Sequence, residues 1–296
     1  MRKILILILV FTIIIIGDRF ISSGISKLVS LSEFRYSQLY SGRISTDVAI
    51  FGNSRALHSI YAPELNKESC YSSYQMSYNG LSILSIERLI YDYLDRNSLP
   101  KVVILEVSAL HSSQVADQQL SVFRPESSRL NEYLVGLDNS IVNWSNIFNL
   151  LYFNSQMMVR SLYHFNETDQ DWINRGKLIG SSGTEKDQLK YYNELISSRV
   201  EALKRLHQEL SERSIDLVLF AAPYHSSVTR IGQNSYTWNE ALSLSDMGDV
   251  PFLDYRDLAL ADEKFADYLH LNINGARAIN LKFSEILSEK IGCKND

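Results

Sequence analysis

The chain has 296 residues, of which 45% are hydrophobic and 21% are charged, as in an ordinary globular protein and unlike a disordered or low-complexity chain. Its formal net charge is −5, which argues against a protein that binds nucleic acids through a basic surface. After an apolar N-terminal segment, the length leaves room for one large domain of about 265 residues.

The first predicted element is an apolar N-terminal helix. Arg2 and Lys3 precede a strongly apolar run over Ile4–Ile16, and apolar residues continue beyond it at helical spacing. We interpret residues 1–30 as an uncleaved signal anchor, while a cleaved signal peptide and a buried core helix stay open as alternatives. The basic residues would remain in the cytoplasm, so residues 31–296 would face outwards from a single-pass anchor in the inner (plasma) membrane.

Short apolar runs separated by amphipathic segments predict an α/β domain over residues 31–296. The strands are mostly apolar, as is typical of central parallel strands, and the helices have one apolar face. Residues 30–46 lack such a pattern and are predicted to be a polar lead-in. The elements that follow are a strand over Asp47–Asn53, a short helix over Ser54–Ile60, a weaker strand over Tyr71–Ser77, a helix over Leu81–Arg96 and a strand over Lys101–Val107.

Residues 111–185 interrupt this alternation and are predicted to be a helical insertion or cap. They are rich in Ser, Asn and aromatic residues, with short helices expected around 138–163 and a flexible loop at 180–183. The alternation then resumes, and the whole pattern predicts a doubly wound parallel sheet. The resumed elements are a helix over Lys186–Arg213, a strand over Asp216–Ala222, a helix over Tyr236–Leu244, a strand over Val250–Tyr255 and a last helix that Asn272 or Asn274 caps and that ends near Ile291.

A serine and a histidine with a nearby carboxylate form the candidate catalytic group. Ser54 directly follows the first predicted strand, at the edge of an open α/β sheet where reacting groups lie. Asp267 and His270 are three residues apart, just before the last helix. A serine hydroxyl needs a base to remove its proton, and the imidazole would do so while the carboxylate orients its ring. Taken singly, Ser54 is equally suited to cap a helix, and the other two to form a surface pair.

Three short motifs resemble the SGNH (GDSL-like) hydrolase superfamily. Gly52-Asn53-Ser54 stands where the family has Gly-Asp-Ser or Gly-Ser-Ser, Gly80 stands at its second-block glycine, and Asp267-Tyr268-Leu269-His270 matches its Asp-x-x-His. The resemblance covers most of residues 47–290 and implies a flavodoxin-like three-layer sandwich. Within the family, the chain looks most like the membrane-anchored branch, which includes polysaccharide O-acetylation proteins and the D-alanyl-transfer protein of teichoic acid synthesis.

The resemblance also implies donors for a developing oxyanion, namely the backbone N–H groups of Ser54 and Gly80 and the side chain of Asn79. One such donor typically contributes about 3–4 kcal/mol in the transition state. The family's third block normally supplies an asparagine after the third strand. Here that strand ends in Leu105-Glu106-Val107-Ser108, so the sequence does not identify a third-block donor.

Other candidates are weaker. Arg55 is a candidate for pairing with an anionic substrate group and His225 for contacting the substrate, although a solvated helix charge and a loop histidine are the ordinary interpretations. No Cys/His spacing indicates a metal, and no G-x-G-x-x-G or P-loop indicates a nucleotide, so we expect neither metal nor cofactor. Cys70 and Cys293 are expected to be a buried thiol and a tail thiol, although an oxidising compartment would permit a disulfide.

The expected function is that of an envelope-facing SGNH-like acyltransferase or esterase. It would form an acyl-serine intermediate and act on O-acyl groups, most simply acetyl, of a surface polysaccharide. The resemblance implies a multi-pass membrane O-acyltransferase as a partner. A plain esterase would have the same triad, and a catalytically inactive glycan-binding or scaffold protein of the envelope is the alternative of another class. Transfer and hydrolysis are not distinguished, because a sugar hydroxyl and water attack the same acyl-enzyme.

Overall fold

A computed structural model describes residues 1–137, 139–176, 197–226, 228 and 250–292. The chain forms two compact units, which we call the anchor unit (residues 1–43 and 114–169) and the sheet unit (residues 44–113 and 170–296). The predicted loop at 180–183, the predicted helix over Tyr236–Leu244 and the first part of the helix predicted from Lys186 lie outside the described residues.

The described residues form helices in both units. In chain order they are α1 (Arg2–Ser30), α2 (Arg35–Tyr40), α3 (Ser54–Ser59), α4 (Ala62–Glu68), α5 (Ile83–Arg96), α6 (Ser128–Val135), α7 (Ser140–Trp144), α8 (Gln156–Tyr163), α9 (Ser197–Glu212) and α10 (Ile273–Ile291), with 3₁₀ turns that include Val107–Leu110, Asn149–Phe153 and Asp262–Lys264.

The described part of the sheet unit contains a parallel five-stranded sheet in the order β2-β1-β3-β4-β5. Its strands are β1 (Val48–Phe51), β2 (Ser73–Gln75), β3 (Val102–Glu106), β4 (Asp216–Ala221) and β5 (Phe252–Asp254). Each lies inside its predicted range, so the predicted doubly wound parallel sheet is confirmed. The winding direction reverses between β1 and β3, which opens a crevice at the carboxyl ends of these two strands.

Helices cover both faces of the sheet, because alternate side chains of a strand point to opposite faces. Ile50 of β1 and Ile104 of β3 belong to one apolar cluster with Phe283 of α10. On the other face, the ring of Phe51 lies edge-on to the ring of Tyr93 in α5, with centroids 5.9 Å apart. The core therefore fixes the end of β1, where Ser54 follows.

In the anchor unit, α1 is the helix of the described chain that is long and apolar enough to cross a membrane. Its most apolar 18-residue window has a mean hydropathy of 2.7, and only 6% of that window is buried. These properties fit a membrane anchor and equally a signal sequence.

Residues 30–46 differ from the predicted polar lead-in. They contain α2, whose six residues are all buried. Arg35 is fully buried because its guanidinium and its backbone N–H both bond the carboxylate of Asp169, with an Nε–Oδ2 distance of 2.5 Å. A partner 134 residues away in sequence therefore makes this charged position part of the core.

The expectation for the cysteines was wrong for Cys70, which is disulfide-bonded rather than a free thiol. The chain contains two cysteines, and the second, Cys293, lies outside the described residues. A disulfide is stable in an oxidising compartment and is rare in the cytosol.

Candidate active site

Ser54 is the first residue of α3, directly after β1 and a two-residue turn. The Asn53 side chain caps this helix by accepting a hydrogen bond from the backbone N–H of Arg55, at 2.9 Å. Gly52 allows the turn to pass close to its neighbours, because a Cβ there would lie 2.6 Å from Cβ of Ala56 and 2.9 Å from Cβ of Glu106. The serine is thus held at the carboxyl end of a central strand.

The predicted triad residues come together in the sheet unit. The Oγ atom of Ser54 lies 2.8 Å from Nε2 of His270, although the two residues are 216 positions apart in sequence. On the other side of the ring, Nδ1 lies 2.9 Å from both carboxylate oxygens of Asp267. A proton on Nδ1 would bond the carboxylate and leave the Nε2 lone pair directed at the serine hydroxyl.

The segment Phe265–Leu271 forms a closed loop rather than the single helical turn that the three-residue spacing allowed. Its ends pair in an antiparallel bridge, and the backbone N–H of Ala266 donates to the carbonyl of His270 at 2.9 Å. At the base of the loop, the Asn272 N–H donates to the carbonyl of Lys264, also at 2.9 Å. We call this segment the catalytic loop, and its internal bonds fix the histidine ring.

The environment of Asp267 favours its ionised form. Burial acts to raise the pKa of this carboxyl, but the hydrogen bond with His270 and the backbone N–H groups of Leu269 and His270 outweigh it, so its pKa lies below the usual value. A carboxylate anchored in this way keeps its charge and stabilises the imidazolium that forms when His270 accepts a proton.

Arg55 is not a solvated helix charge, and its pairing with an anionic substrate group stays a prediction. Its side chain is only 3% exposed, and its guanidinium donates to the carbonyl of Leu269 at 2.8 Å and to that of Pro223 at 3.2 Å. The group also lies over the ring of Tyr224, with 3.5 Å to the centroid. Arg55 therefore has a positioning role, since its hydrogen bond to Leu269 connects the helix that begins at Ser54 with the loop that carries His270.

Glu106, the last residue of β3, is a buried hydrogen-bond acceptor. Its carboxylate accepts from the backbone N–H of Ser108 at 3.1 Å and of Ala222 at 3.3 Å, and it lies 3.6 Å from Nε of Arg55. Burial raises its pKa, an effect that the Arg55 charge and these hydrogen bonds oppose.

Sequence reasoning missed a polar network behind the serine. The Asn53 side-chain amide donates to the hydroxyls of Ser108 and Ser112, both at 2.9 Å, and the Ser108 hydroxyl donates to Glu106. Ser108 lies just after β3, in the segment where the sequence identified no third donor. Serines are frequent in this chain, and nothing in their local pattern distinguished these two.

The predicted oxyanion residues Asn79 and Gly80 follow the extension of β2 alongside β1. The backbone N–H of Tyr78 donates to the carbonyl of Gly52 at 3.3 Å, which brings this segment to the turn that precedes Ser54. Gly80 has φ 74°, a left-handed conformation that favours glycine, and Asn79 is exposed. The placement is compatible with the predicted role, which stays a prediction.

His225 supports the catalytic loop. Its backbone N–H donates to the carbonyl of Tyr268 at 3.2 Å, and its ring lies edge-on to the rings of Tyr268 and Phe265. Its Nε2 also lies 3.1 Å from the carboxylate of Asp262. These contacts give the ring a structural role, and contact with a substrate stays a prediction.

Aromatic neighbours of the triad were also missed. The ring of His58 lies edge-on to that of His270, with centroids 5.5 Å apart, and its Nδ1 accepts from the backbone N–H of Asn174 at 3.1 Å. The half-buried indole of Trp172 contacts the rings of His58 and Tyr78.

Among the described residues, no group of three or more His, Cys, Asp and Glu is arranged to hold a metal ion.

Comparison with known proteins gives remote structural neighbours. No protein-family model and no curated protein matches the sequence. A candidate platelet activating factor protein from Streptococcus pneumonia is 10% identical over 96% of this chain and 98% of its own, with a TM-score of 0.44. A candidate acylhydrolase from Bacteroides fragilis is 9% identical over 82% of this chain and 87% of its own, with a TM-score of 0.39.

An acetyl xylan esterase from the rumen bacterium Butyrivibrio proteoclasticus is 10% identical over 83% of this chain and 64% of its own, with a TM-score of 0.36. All three similarities are too remote to assign an activity, so function must be inferred from the site itself.

Proposed function

We propose that this protein is a membrane-anchored serine acyltransferase or esterase that acts on O-acyl groups, most simply acetyl, of a surface polysaccharide. The observation that supports catalysis is the 2.8 Å contact between Ser54 Oγ and His270 Nε2, with Nδ1 of the same ring on Asp267. Side chains from opposite ends of the sequence meet in the order that nucleophilic catalysis requires.

The first half-reaction would form an acyl-enzyme. As Ser54 Oγ bonds to the carbonyl carbon of the donor ester, its proton moves to Nε2 of His270. The carbonyl oxygen becomes an oxyanion, for which the N–H groups of Ser54 and Gly80 and the amide of Asn79 are the proposed donors. The imidazolium then gives its proton to the leaving oxygen as the bond between acyl carbon and alcohol oxygen breaks.

The second half-reaction would release the acyl group. A sugar hydroxyl or a water molecule loses its proton to His270 Nε2 and attacks the acyl carbon, and Ser54 Oγ leaves with that proton. The acceptor alone decides between transfer and hydrolysis. An anchor would favour transfer, because it would keep the enzyme at the surface where donor and polymer meet.

The proposed location is the inner (plasma) membrane, with the sheet unit outside the cytoplasm. Two observations support it, namely the apolar exposed helix α1 and the disulfide at Cys70. A multi-pass membrane O-acyltransferase that supplies the acyl group is the proposed partner, on the strength of the family resemblance alone.

Turnover of a simple acetyl ester tests the proposal. The full-length chain in detergent micelles should release 4-nitrophenol from 4-nitrophenyl acetate, and Ser54→Ala should lower kcat by at least about 10³-fold because the nucleophile is lost. Ser284→Ala, at a half-buried position of α10 whose hydroxyl bonds the Leu281 carbonyl of the same helix, is the matched control and should retain full activity.

A second arm separates transfer from hydrolysis. Adding an acidic or neutral polysaccharide as acceptor should produce O-acetylated polymer, detected by mass spectrometry, at the expense of free acetate. Acetate release with no acetylated polymer would identify a plain esterase. A folded wild-type protein with no turnover above that of Ser54→Ala would favour the inactive glycan-binding or scaffold protein.

A further inference from the structure

The anchor unit exposes a cluster of apolar side chains besides α1. The segment Asn139–Leu151, which we call the seating segment, contains large apolar side chains that are well exposed. These are Ile141 (45% exposed), Trp144 (57%), Ile147 (42%) and Leu150 (37%). No Asp, Glu, Lys or Arg occurs from Asn139 to Val159. Large apolar side chains exposed together in one short uncharged segment are typical of interaction sites.

Hydrogen bonds fix the seating segment to α1. The carboxylate of Asp18, buried although it lies in an apolar helix, accepts from the backbone N–H groups of Asn149 at 2.7 Å and Leu150 at 3.0 Å. The next residue, Arg19, donates to the carbonyl of Ile147 at 3.1 Å and to the side chain of Asn149. The two charged groups inside the apolar part of α1 thus have their polar partners in this segment.

The contact extends along α1 towards its N-terminus. The ring of Phe148 lies edge-on to the ring of Phe11, with centroids 6.4 Å apart. Phe11 precedes Asp18 by seven residues, which is about 10 Å along an α-helix. The segment therefore runs beside the exposed apolar side chains of α1, which continue from Ile4 to Ile21, and the two apolar surfaces are adjacent.

The length of α1 places this contact near a membrane boundary. Twenty-nine residues of helix span about 43 Å, whereas the hydrocarbon core of a bilayer is about 30 Å thick. The C-terminal part of α1 therefore extends beyond that core, and Asp18 and Arg19, the first charged residues after the apolar run, lie about 23 Å along the helix from Lys3, towards the outer boundary of the core. Tryptophan and asparagine beside aliphatic residues suit the interfacial layer, where a side chain meets both acyl chains and headgroups.

We infer that the seating segment inserts the side chains of Ile141, Trp144, Ile147 and Leu150 into the interfacial layer of the outer leaflet of the membrane that α1 spans. The occupant of this surface is lipid, because the surface is uncharged, borders the candidate span directly and is bonded to it. The inference rests on the membrane anchoring given under the proposed function, but not on catalysis.

Quenching of tryptophan fluorescence by brominated lipids tests the inference. The full-length chain is reconstituted in vesicles of phosphatidylcholine and phosphatidylglycerol, with and without phosphatidylcholine brominated near the headgroup end of its chains. Trp144→Phe should lose most of the lipid-dependent quenching, because the indole that meets the lipid is gone. Trp172→Phe, which removes a half-buried indole of the sheet unit, is the control and should retain that quenching.

Each result that contradicts the inference has its own meaning. Equal lipid quenching in wild type and Trp144→Phe overturns the inference, and the aqueous quencher acrylamide then tells where the indole lies. Strong acrylamide quenching of Trp144 would place it in water, and weak quenching by both agents would place it against another protein or a second copy. Failure of the chain to float with the vesicles would overturn the anchor and this inference together. Ester turnover by Ser54 is measured separately, and its absence alone would overturn only the catalytic proposal.

Discussion

Asp267 shows how a single residue can combine a structural and an electrostatic role. Its Oδ1 atom accepts the backbone N–H groups of Leu269 and His270, both at 2.8 Å, and its carboxylate also bonds the His270 ring. An asparagine could still accept both backbone bonds through its amide oxygen. Asp267→Asn therefore isolates the charge from the shape of the loop.

We expect Asp267→Asn to lower kcat/KM for an acetyl ester by about 10³- to 10⁴-fold, because the imidazolium loses its counter-charge and the ring its preferred tautomer. The melting temperature should change little. Steady-state kinetics and thermal unfolding of the same preparation measure both effects. A loss of activity matched by a large drop in melting temperature would show that the carboxylate serves mainly to hold the loop.

The lowered pKa of His111 indicates how the stability of the fold should depend on pH. Burial and the nearby charge of Arg199 lower the pKa of His111 to about 4, whereas an unfolded histidine titrates near 6.5. Between these values the unfolded chain binds a proton that the folded chain does not. The stability associated with His111 is therefore complete above pH 6.5 and is lost as the pH falls towards 4, up to about 3 kcal/mol.

The variant His111→Gln, which cannot titrate, should lack this dependence. Urea unfolding in detergent micelles at several pH values from 7.5 to 4 gives the free energy of unfolding of both proteins. The difference between wild type and variant should shift in favour of the variant as the pH falls. Parallel curves would mean that His111 has the same pKa in the folded and unfolded chains.

Among the elements, α10 is the support of the catalytic loop. Asn272 caps the helix, and Gly275 in its first turn lies so close to the loop that a Cβ there would come within 2.3 Å of the carbonyl oxygen of Lys264. That carbonyl accepts the Asn272 N–H that closes the loop. The helix and the loop can therefore approach this closely only because Gly275 has no Cβ atom.

Gly275→Ala should therefore displace the loop and reduce both stability and activity. Overpacking of this kind costs about 1–3 kcal/mol, and a displaced His270 should lower kcat more than it changes KM. Thermal unfolding and ester kinetics test this, with Ser284→Ala, whose hydroxyl bonds the same helix, as the control. Unchanged kinetics in Gly275→Ala would show that the loop is not held by this contact.

The strands and the position of Ser54 could be predicted for the same physical reason. Buried parallel strands require apolar runs, and the reacting groups of an open α/β sheet follow the carboxyl ends of such runs. Ser54 could therefore be found from its local pattern. Its pairing with His270 could be proposed only from the residue types and their order along the chain, because no local signal connects residues 216 positions apart.

Residues whose surroundings come from distant segments could not be predicted. The helix α2 was missed because the burial of Arg35 depends on Asp169, far away in sequence. The buried contacts of Arg55 could not be foreseen for the same reason, since its partners Ala222, Pro223 and Leu269 follow it by more than 160 residues. A charged residue beside a motif is expected to contact solvent or substrate as long as its tertiary partners are unknown.

At the scale of the whole molecule, the chain combines an anchor unit with a sheet unit that holds the candidate triad. The disulfide at Cys70 and the exposed apolar helix α1 are independent features that both fit a protein outside the cytoplasm. An acyl-serine enzyme in that place would meet substrates of the cell surface. Every step of the proposed reaction depends on Ser54 being a reactive nucleophile.

Covalent labelling of the full-length chain by a serine-directed fluorophosphonate tests that claim most directly, because the reagent reacts with a serine that a neighbouring base activates. Intact-protein and peptide mass spectrometry should find one adduct, on Ser54, that forms much more slowly in His270→Ala and is absent from Ser54→Ala. A folded wild-type protein without an adduct, or an adduct that persists in Ser54→Ala, would contradict the account.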